Sequence, residues 1–444
     1  MSASTSGATP DQAPPATEAP PLVAPSVGLA REMGRGALWL SVLTLVASGV
    51  NYLSNLVFSR LLEPASFGDL TALLALSVVV AVPTAAAQTR TAERVAVYHA
   101  SGDERTIRYL VRHALAHLAT LAVIATGIYV ALIPLVVEAL DLRAWGPAAA
   151  LAPLIFFSFL FPVLLGTLQG LGRFVIFGAI AVAIAVARLA FGIPWVQAGG
   201  GSGGAIAGQA LGMAACFGVL LWVMRGHVEP PGKGAAKHGI RRRPDVRAFA
   251  AGAAFVAFAV ISNFDIVLAK VFLSPEESGL YAALATVGKV VTFLPAAVAV
   301  TMVPNAARVT GPERARVLRI AALFVLATTL VAAIPAALAP RLVIETMFGA
   351  DYLAATSGVL PMVAAGSALS LLYLLVVFAV TIEDRRWTLL LIVGVVLQAG
   401  GIALFHDSPT QVAGVQAATV LLVLALNELL FHSLILKKRE DRRA

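Results

Sequence analysis

The stretch Ser262-Asn263-Phe264-Asp265-Ile266-Val267-Leu268-Ala269-Lys270, followed by the turn Ser274-Pro275-Glu276-Glu277 and by Gly279-Leu280-Tyr281, decides the reading of this chain. The apolar run before the turn and the longer one after it, broken by Lys289 and Pro295, are each of membrane-crossing length. Residues 262–307 therefore hold two helices with an acid inside one and a base inside the other. A diluted copy lies about 210 residues earlier: Ser54-Asn55 leads to Arg60, Glu63-Pro64-Ala65-Ser66 makes the turn, and Gly68-Asp69 opens an apolar run containing Pro83.

The remainder of the sequence says where such a repeat can live. Of 444 residues, 59% are hydrophobic and only 13% are charged, with a mean hydropathy of +0.88. A soluble domain carries roughly 25% charged residues; this chain cannot coat a soluble surface, and in lipid it has no need to. The long continuous apolar runs fit helices rather than the short alternating segments of a β-barrel. The expected fold is an all-α polytopic membrane protein. The single cysteine, Cys216, excludes an intrachain disulfide and a cysteine metal cluster.

Residues 1–30, rich in Ala, Pro, Ser and Thr, read as a disordered tail, without the basic start and apolar core of a signal peptide. Twelve stretches of roughly 20 apolar residues follow: 37–59, 67–88, 110–137, 147–170, 174–197, 203–224, 247–270, 279–305, 317–340, 353–382, 387–405 and 411–436. The expected organisation is a six-helix lobe over 31–224, a basic linker over 225–246 with Pro230-Pro231-Gly232 and Arg241-Arg242-Arg243, a second six-helix lobe over 247–436, and a basic tail over 437–444.

Charge sets the orientation. Of the 32 lysines and arginines, only Arg60, Arg143, Lys270 and Arg341 fall on one side of these spans, and Arg188 and Lys289 fall inside helices; all the others lie on the opposite side. Cytoplasmic loops collect Lys and Arg. Both termini are thus expected in the cytoplasm of a cell-membrane protein, and the net charge of +8 is a topology signal that leaves no argument for nucleic acid binding. The arginine run of the linker fits anionic lipid headgroups. Because six is even, the two halves enter the membrane in the same direction and form a parallel repeat, one of the two architectures of secondary transporters, with substrate bound between the halves near the midplane.

Ionisable residues inside a membrane usually face the bundle interior or a wet cavity. Arg188 and Lys289 each lie nine or ten residues from the outer helix end, roughly 14–15 Å deep at a 1.5 Å rise. One cation per half at equal depth reads as an anion site, the alternative being a bridge from Arg188 to Asp265. Asp265 is shallower and could pair with Lys270 or Lys289, fix packing through an interhelical hydrogen bond, or serve as a carboxylate for ion or proton coupling. Glu428, after Asn427, is a second coupling candidate or an interfacial side chain. Asn51 and Asn55 share one face of the first helix, with Asn263 as counterpart; they glue helices or line a sugar-binding cavity. His113 and His117 have a metal-capable spacing, but Arg108 and Arg112 beside them would repel a cation. The run Gly199-Gly200-Gly201-Ser202-Gly203-Gly204 lacks the Lys of a P-loop. No enzyme, no cofactor and no metal site is expected.

The segment Phe58-Ser59-Arg60-Leu61-Leu62-Glu63-Pro64-Ala65-Ser66-Phe67-Gly68 resembles the helix 1–2 turn of Wzx-type polysaccharide flippases, a branch of the multidrug/oligosaccharidyl-lipid/polysaccharide (MATE-like) exporter superfamily. Leu168-Gln169-Gly170-Leu171-Gly172-Arg173-Phe174 resembles that family's turn after helix 4. Asn263-Phe264-Asp265, Leu273-Ser274-Pro275-Glu276-Glu277-Ser278-Gly279-Leu280-Tyr281 and Pro304-Asn305-Ala306-Ala307-Arg308 resemble its helix 7–8 segment. The resemblance implies flipping of an undecaprenyl-diphosphate-linked oligosaccharide by alternating access, with a cationic cavity for the diphosphate and acidic sugars. It implies as partners this lipid-linked glycan, membrane lipids, a polysaccharide polymerase and glycosyltransferases. A cation-coupled multidrug exporter of the same superfamily and a non-transporting scaffold of a polysaccharide assembly complex are the competing readings. Lipid II flippases of the superfamily usually have fourteen helices; twelve are read here.

Overall fold

A computed structural model describes residues 27–228, 246–308, 312–381 and 386–431. The first 26 residues, the greater part of the expected linker with its arginine run, and the basic C-terminal tail lie outside the described residues. The described chain is helical, with no strand among these residues. The first half comprises α1 (Val27–Leu61), α2 (Pro64–Ala81), α3 (Pro83–Ala100), α4 (Glu104–Ala139), α5 (Trp145–Gly170), α6 (Phe174–Trp195), α7 (Gly201–Val223) and the single turn α8 (Arg225–Val228). The second comprises α9 (Val246–Ile261), α10 (Phe264–Phe272), α11 (Pro275–Arg308), α12 (Pro312–Leu338), α13 (Pro340–Met347), a 3-10 segment (Ala350–Gly358), α14 (Val359–Thr381), α15 (Arg386–Leu404) and α16 (Pro409–Phe431).

Among the described residues, ten stretches are long and apolar enough to cross a membrane. One of them, Phe174–Val223, is 50 residues long and makes two passes. Its chain reverses around Gly199, whose φ of 88° lies in the left-handed region that glycine tolerates. Beyond this turn Gly208 lies against Gly192, and Gly212 against Ala187, as an antiparallel hairpin requires. With α11, 34 residues long, the count becomes twelve. The protein is a multi-pass membrane protein.

Three boundaries differ from the sequence reading. The second pass does not end near residue 88: beyond Pro83 it continues as α3 to Ala100, and only a short turn separates it from α4. Pro83 removes one backbone donor but sits at the first position of α3, where that donor has no intrahelical partner. The seventh pass is not continuous: α9 stops at Ile261 and α10 starts at Phe264. The short helix α13 occupies the connection between the ninth and tenth spans, to which the sequence assigns no helix.

The same packing recurs in both halves. In the first, α1 packs on α6, α6 on α7, α3 on α5, α4 on α5, and α5 on α7; in the second, α9 packs on α15, α15 on α16, α11 on α14, α12 on α14, and α14 on α16. Pass for pass these are equivalent pairs, so the molecule is two six-helix lobes related by a parallel repeat.

The lobes meet unequally along their length. At the end carrying the turns before α2 and α11, one core runs through both lobes, from Phe58, Phe67 and Leu70 to Ile266, Tyr281 and Tyr352. Towards the other end each lobe keeps its own core, around Ile107, Leu164 and Leu220 in the first and Ile261, Leu372 and Val423 in the second. There Ala86 of α3 approaches Gly252 of α9 across the divide.

Candidate functional site

The break in the seventh pass is where the site begins. Opening a helix inside lipid frees backbone groups that have no water to turn to. Ser262 and Asn263 take up the local burden: the Ser262 hydroxyl donates to Phe258 O at 2.6 Å, and Asn263 Nδ2 donates to Ala259 O at 3.0 Å. The freed carbonyl of Ile261 receives Gln398 Nε2 of α15 at 2.9 Å and Gln416 Nε2 of α16 at 3.0 Å. Both glutamines are buried and also bond to each other. Two helices of the lobe are thus committed to holding one carbonyl of a third.

The turn at Asn263 leaves its side-chain oxygen facing α11, where Lys289 Nζ donates to it at 3.1 Å. Two residues on, Asp265 lies in the first turn of α10, where the helix dipole favours an anion. Its Oδ2 accepts the Tyr281 hydroxyl at 2.6 Å, while its Oδ1 is buried with no side-chain hydrogen bond. Asp265 and Lys289 act on one another electrostatically without a direct ion pair among the described contacts.

The first lobe offers a simpler version. Asn55, on unbroken α1, accepts Arg188 Nη2 of α6 at 2.9 Å. The guanidinium also lies 5.6 Å from the centre of the Phe58 ring, a cation–π distance. Arg188 is only 7% exposed, and its Nε has no partner. Across the interface its charge reaches Lys289. The structure therefore brings Arg188, Asn55, Lys289, Asn263 and Asp265 into one electrostatic neighbourhood at the lobe boundary. Each basic side chain is held by an amide oxygen rather than a carboxylate, so the group comprises two basic side chains and one acidic one.

The alternative pairings drawn from sequence do not form. Arg188 does not bridge to Asp265, and Lys270 does not pair with it. Lys270 Nζ instead lies 2.8 Å from Asp69 Oδ1 of the other lobe. Asn51 is exposed one turn along α1, its amide turned back to Ala47 O at 3.1 Å. Glu428 is half-buried on α16 and is not among the charges acting on Asp265 or Lys289. His113 stacks on Tyr109 with ring centres 5.8 Å apart.

Sequence reasoning missed Tyr281, Gln398 and Gln416. Tyr281 opens the run after the turn and gave no signal of its own. The glutamines did carry one, since an uncharged polar side chain deep in an apolar run needs a partner, but that signal names no partner.

No family model matches the chain, and no curated protein matches it. Solved structures do. An inward-facing multidrug resistance MATE transporter of the MOP superfamily superimposes with a TM-score of 0.70 at 14% identity, over 91% of this chain and 99% of that one. The chain has the MATE-like transporter fold. The lipid II flippase MurJ, in an inward closed conformation, shares this fold with a TM-score of 0.64 at 11% identity, over 90% of this chain and 88% of MurJ. A MOP superfamily transporter from Pyrococcus furiosus, described as having a binding pocket of reverse polarity, gives 0.56 at 16% identity over 89% and 95%. In this MATE-like chain the charged group falls at the boundary between the two lobes.

Proposed function

We propose that the chain flips an undecaprenyl-diphosphate-linked oligosaccharide across the cell membrane for surface polysaccharide assembly, by alternating access between its lobes and with both termini in the cytoplasm. The observation that carries this reading is the pair of basic side chains at the lobe boundary, one per lobe, each bonded to an asparagine oxygen. The asparagines carry no charge of their own, so neither base is neutralised by the group that holds it when a ligand enters between the lobes. A diphosphate presents anionic oxygens to both cations at once, and charge-assisted hydrogen bonds of this kind are about twice as strong as neutral ones. Asn55 and Asn263 orient the cations and leave their amides near sugar hydroxyls. Glycosyltransferases would supply the lipid-linked glycan and a polymerase would consume it. The likeness to a lipid II flippase supports the cargo class, since that neighbour too handles a lipid carrier.

A cation-coupled multidrug exporter is the second reading, and Asp265 favours it: a buried carboxylate oxygen with no side-chain hydrogen bond suits a cationic drug or a coupling ion. The net positive count of the site weighs against the drug.

Reconstitution into vesicles with a fluorescent lipid-diphosphate oligosaccharide decides between them. Flipping should occur with the native chain and fall roughly tenfold or more in Arg188→Ala and in Lys289→Ala, the loss expected for a hydrogen bond to a charged group. Transport of cationic dyes without glycan flipping would establish the exporter reading instead.

A further inference from the structure

The seam between the lobes is built from one motif used twice. The turn Pro64-Ala65-Ser66-Phe67-Gly68 and the turn Pro275-Glu276-Glu277-Ser278-Gly279 share a Pro-x-x-x-Gly spacing, and each opens a helix. These openings cross. A side-chain carbon on Gly68 would run into Ser278 and the Gly279 backbone, and one on Gly279 into the Pro64 backbone. Around this crossing the seam is tight: Phe67 meets Tyr352 edge-on at 6.1 Å, and the Tyr352 hydroxyl donates to Ser59 O at 3.1 Å.

Among the described residues, one buried ion pair sits inside this seam. Asp69 and Lys270 have side chains 5% and 1% exposed, with 2.8 Å between Oδ1 and Nζ, and they come from opposite lobes. The repeat does not require it. The equivalent positions, five residues after and five before the prolines, are Leu280 and Ser59. The more exposed charges nearby, Arg143 with Glu63 at 3.5 Å and Glu276 at 3.0 Å, also join the lobes, but exposed pairs of this kind contribute little.

We propose that Asp69 and Lys270 are the electrostatic latch of a gate formed by the two Pro-x-x-x-Gly turns. The inference rests on the transport reading in one respect, that the seam must part for cargo to leave. While the seam is dry, neither charge is tolerated without the other. Once it is wetted, each charge is hydrated separately and the pair no longer holds. An apolar contact of equal size would resist wetting and would leave greasy surface on both lobes when parted. The pair gives a seam that is firm when shut and hydrates readily when open.

The test needs no cargo. Spin labels at Ala144 and Phe405, both exposed at this end of the bundle, in a full-length Cys216→Ser background, report the seam by their distance distribution in lipid nanodiscs. Asp69→Asn and Lys270→Met should each raise the ratio of long to short distances roughly tenfold or more, since each strands a buried partner. The exchanged variant D69K/K270D should return it towards the parental value. Unchanged distributions in both single variants overturn the latch. Should those variants fail to fold, the doubly apolar D69L/K270M carries the test: slower amide exchange across α10 than in the parent supports the latch, and equal or faster exchange overturns it. Because no glycan is present, failure of the flippase reading leaves this result standing. A chain that flips the glycan and passes none of these tests keeps its function and loses the latch.

Discussion

The two lobes solve one problem with different parts. In each, an asparagine on the lobe's first pass holds a basic side chain within the bundle: Asn55 holds Arg188, and Asn263 holds Lys289. In the first lobe the asparagine stands on an unbroken helix and the cation comes from α6, which packs mainly on α1 and α7 of its own lobe. In the second, the asparagine stands at a helix break and the cation comes from α11, the helix that also forms the seam. A third charge, Asp265, is added beside it. On the reading proposed above, the first lobe is a fixed cationic wall, and the second ties its cation to a hinge and to the proposed gate, so that movement of either would shift the charge facing the cargo.

This contrast is broken most severely by stripping the hinge of its supports. The double variant Gln398→Leu/Gln416→Leu leaves the Ile261 carbonyl unpartnered in an apolar core, at a cost on the order of 3 kcal/mol. Unfolding in detergent should show that loss, with amide exchange rising first around residues 258–266. Loss confined to the first lobe would remove the distinction between fixed wall and hinge. Tyr281→Phe is a milder probe. It takes away the hydroxyl bond of Asp265, worth about 1.5–3 kcal/mol for a charged acceptor, and should destabilise the second lobe while leaving the Arg188–Asn55 contact intact. Arg188 nitrogen chemical shifts that move as much as those of Lys289 would mean that the two cations are not separately held.

The smallest effect lies at the far end of the first lobe, outside the membrane. Burial holds the His227 imidazole below its ordinary value of 6.5, more than Glu104 at 3.7 Å can offset, with Arg173, Arg108 and His99 adding to the lowering. A depressed folded pKa means that the unfolded chain binds the proton first. The contribution of His227 is therefore complete above its unfolded pKa and is lost as the pH falls through the folded one. Lowering the pH from 7 to 5 should loosen α8 against α4, seen as faster amide exchange at residues 225–228. His227→Gln should abolish that pH dependence and leave the second lobe unchanged.

Much of this was legible in the chain. The twelve passes, their grouping in two lobes and the parallel repeat followed from apolar length and from where the lysines and arginines fall, because lipid tolerates few alternatives. Arg188 and Lys289 stood out for the same reason. The break at residues 262–263 was not legible. No proline or glycine marks it, and Ser262 and Asn263 sit equally well in an intact helix until two glutamines more than 130 residues away claim the carbonyl before them. The partner of Lys270 was hidden too. Asp265 is five residues away and Asp69 is two hundred, yet five residues along a helix place side chains on diverging faces, whereas the seam brings α2 directly onto α10. Pairing across a duplicated architecture is a property of the crossing, which no local spacing encodes.

The crossing at Gly68 and Gly279 has a consequence for how the molecule can change. Each glycine touches the backbone of the opposite turn, so the surface is self-complementary in the manner of a two-fold homodimer contact. A side chain added to either one meets main chain, which cannot rotate aside. The two turns are therefore bound to drift together: insertion, deletion or enlargement in one has no room without a matching change in the other. The charged pair sits off this axis, where no such reciprocity applies. That is the position at which one copy could acquire a lysine and the other an aspartate without disturbing the fit they share.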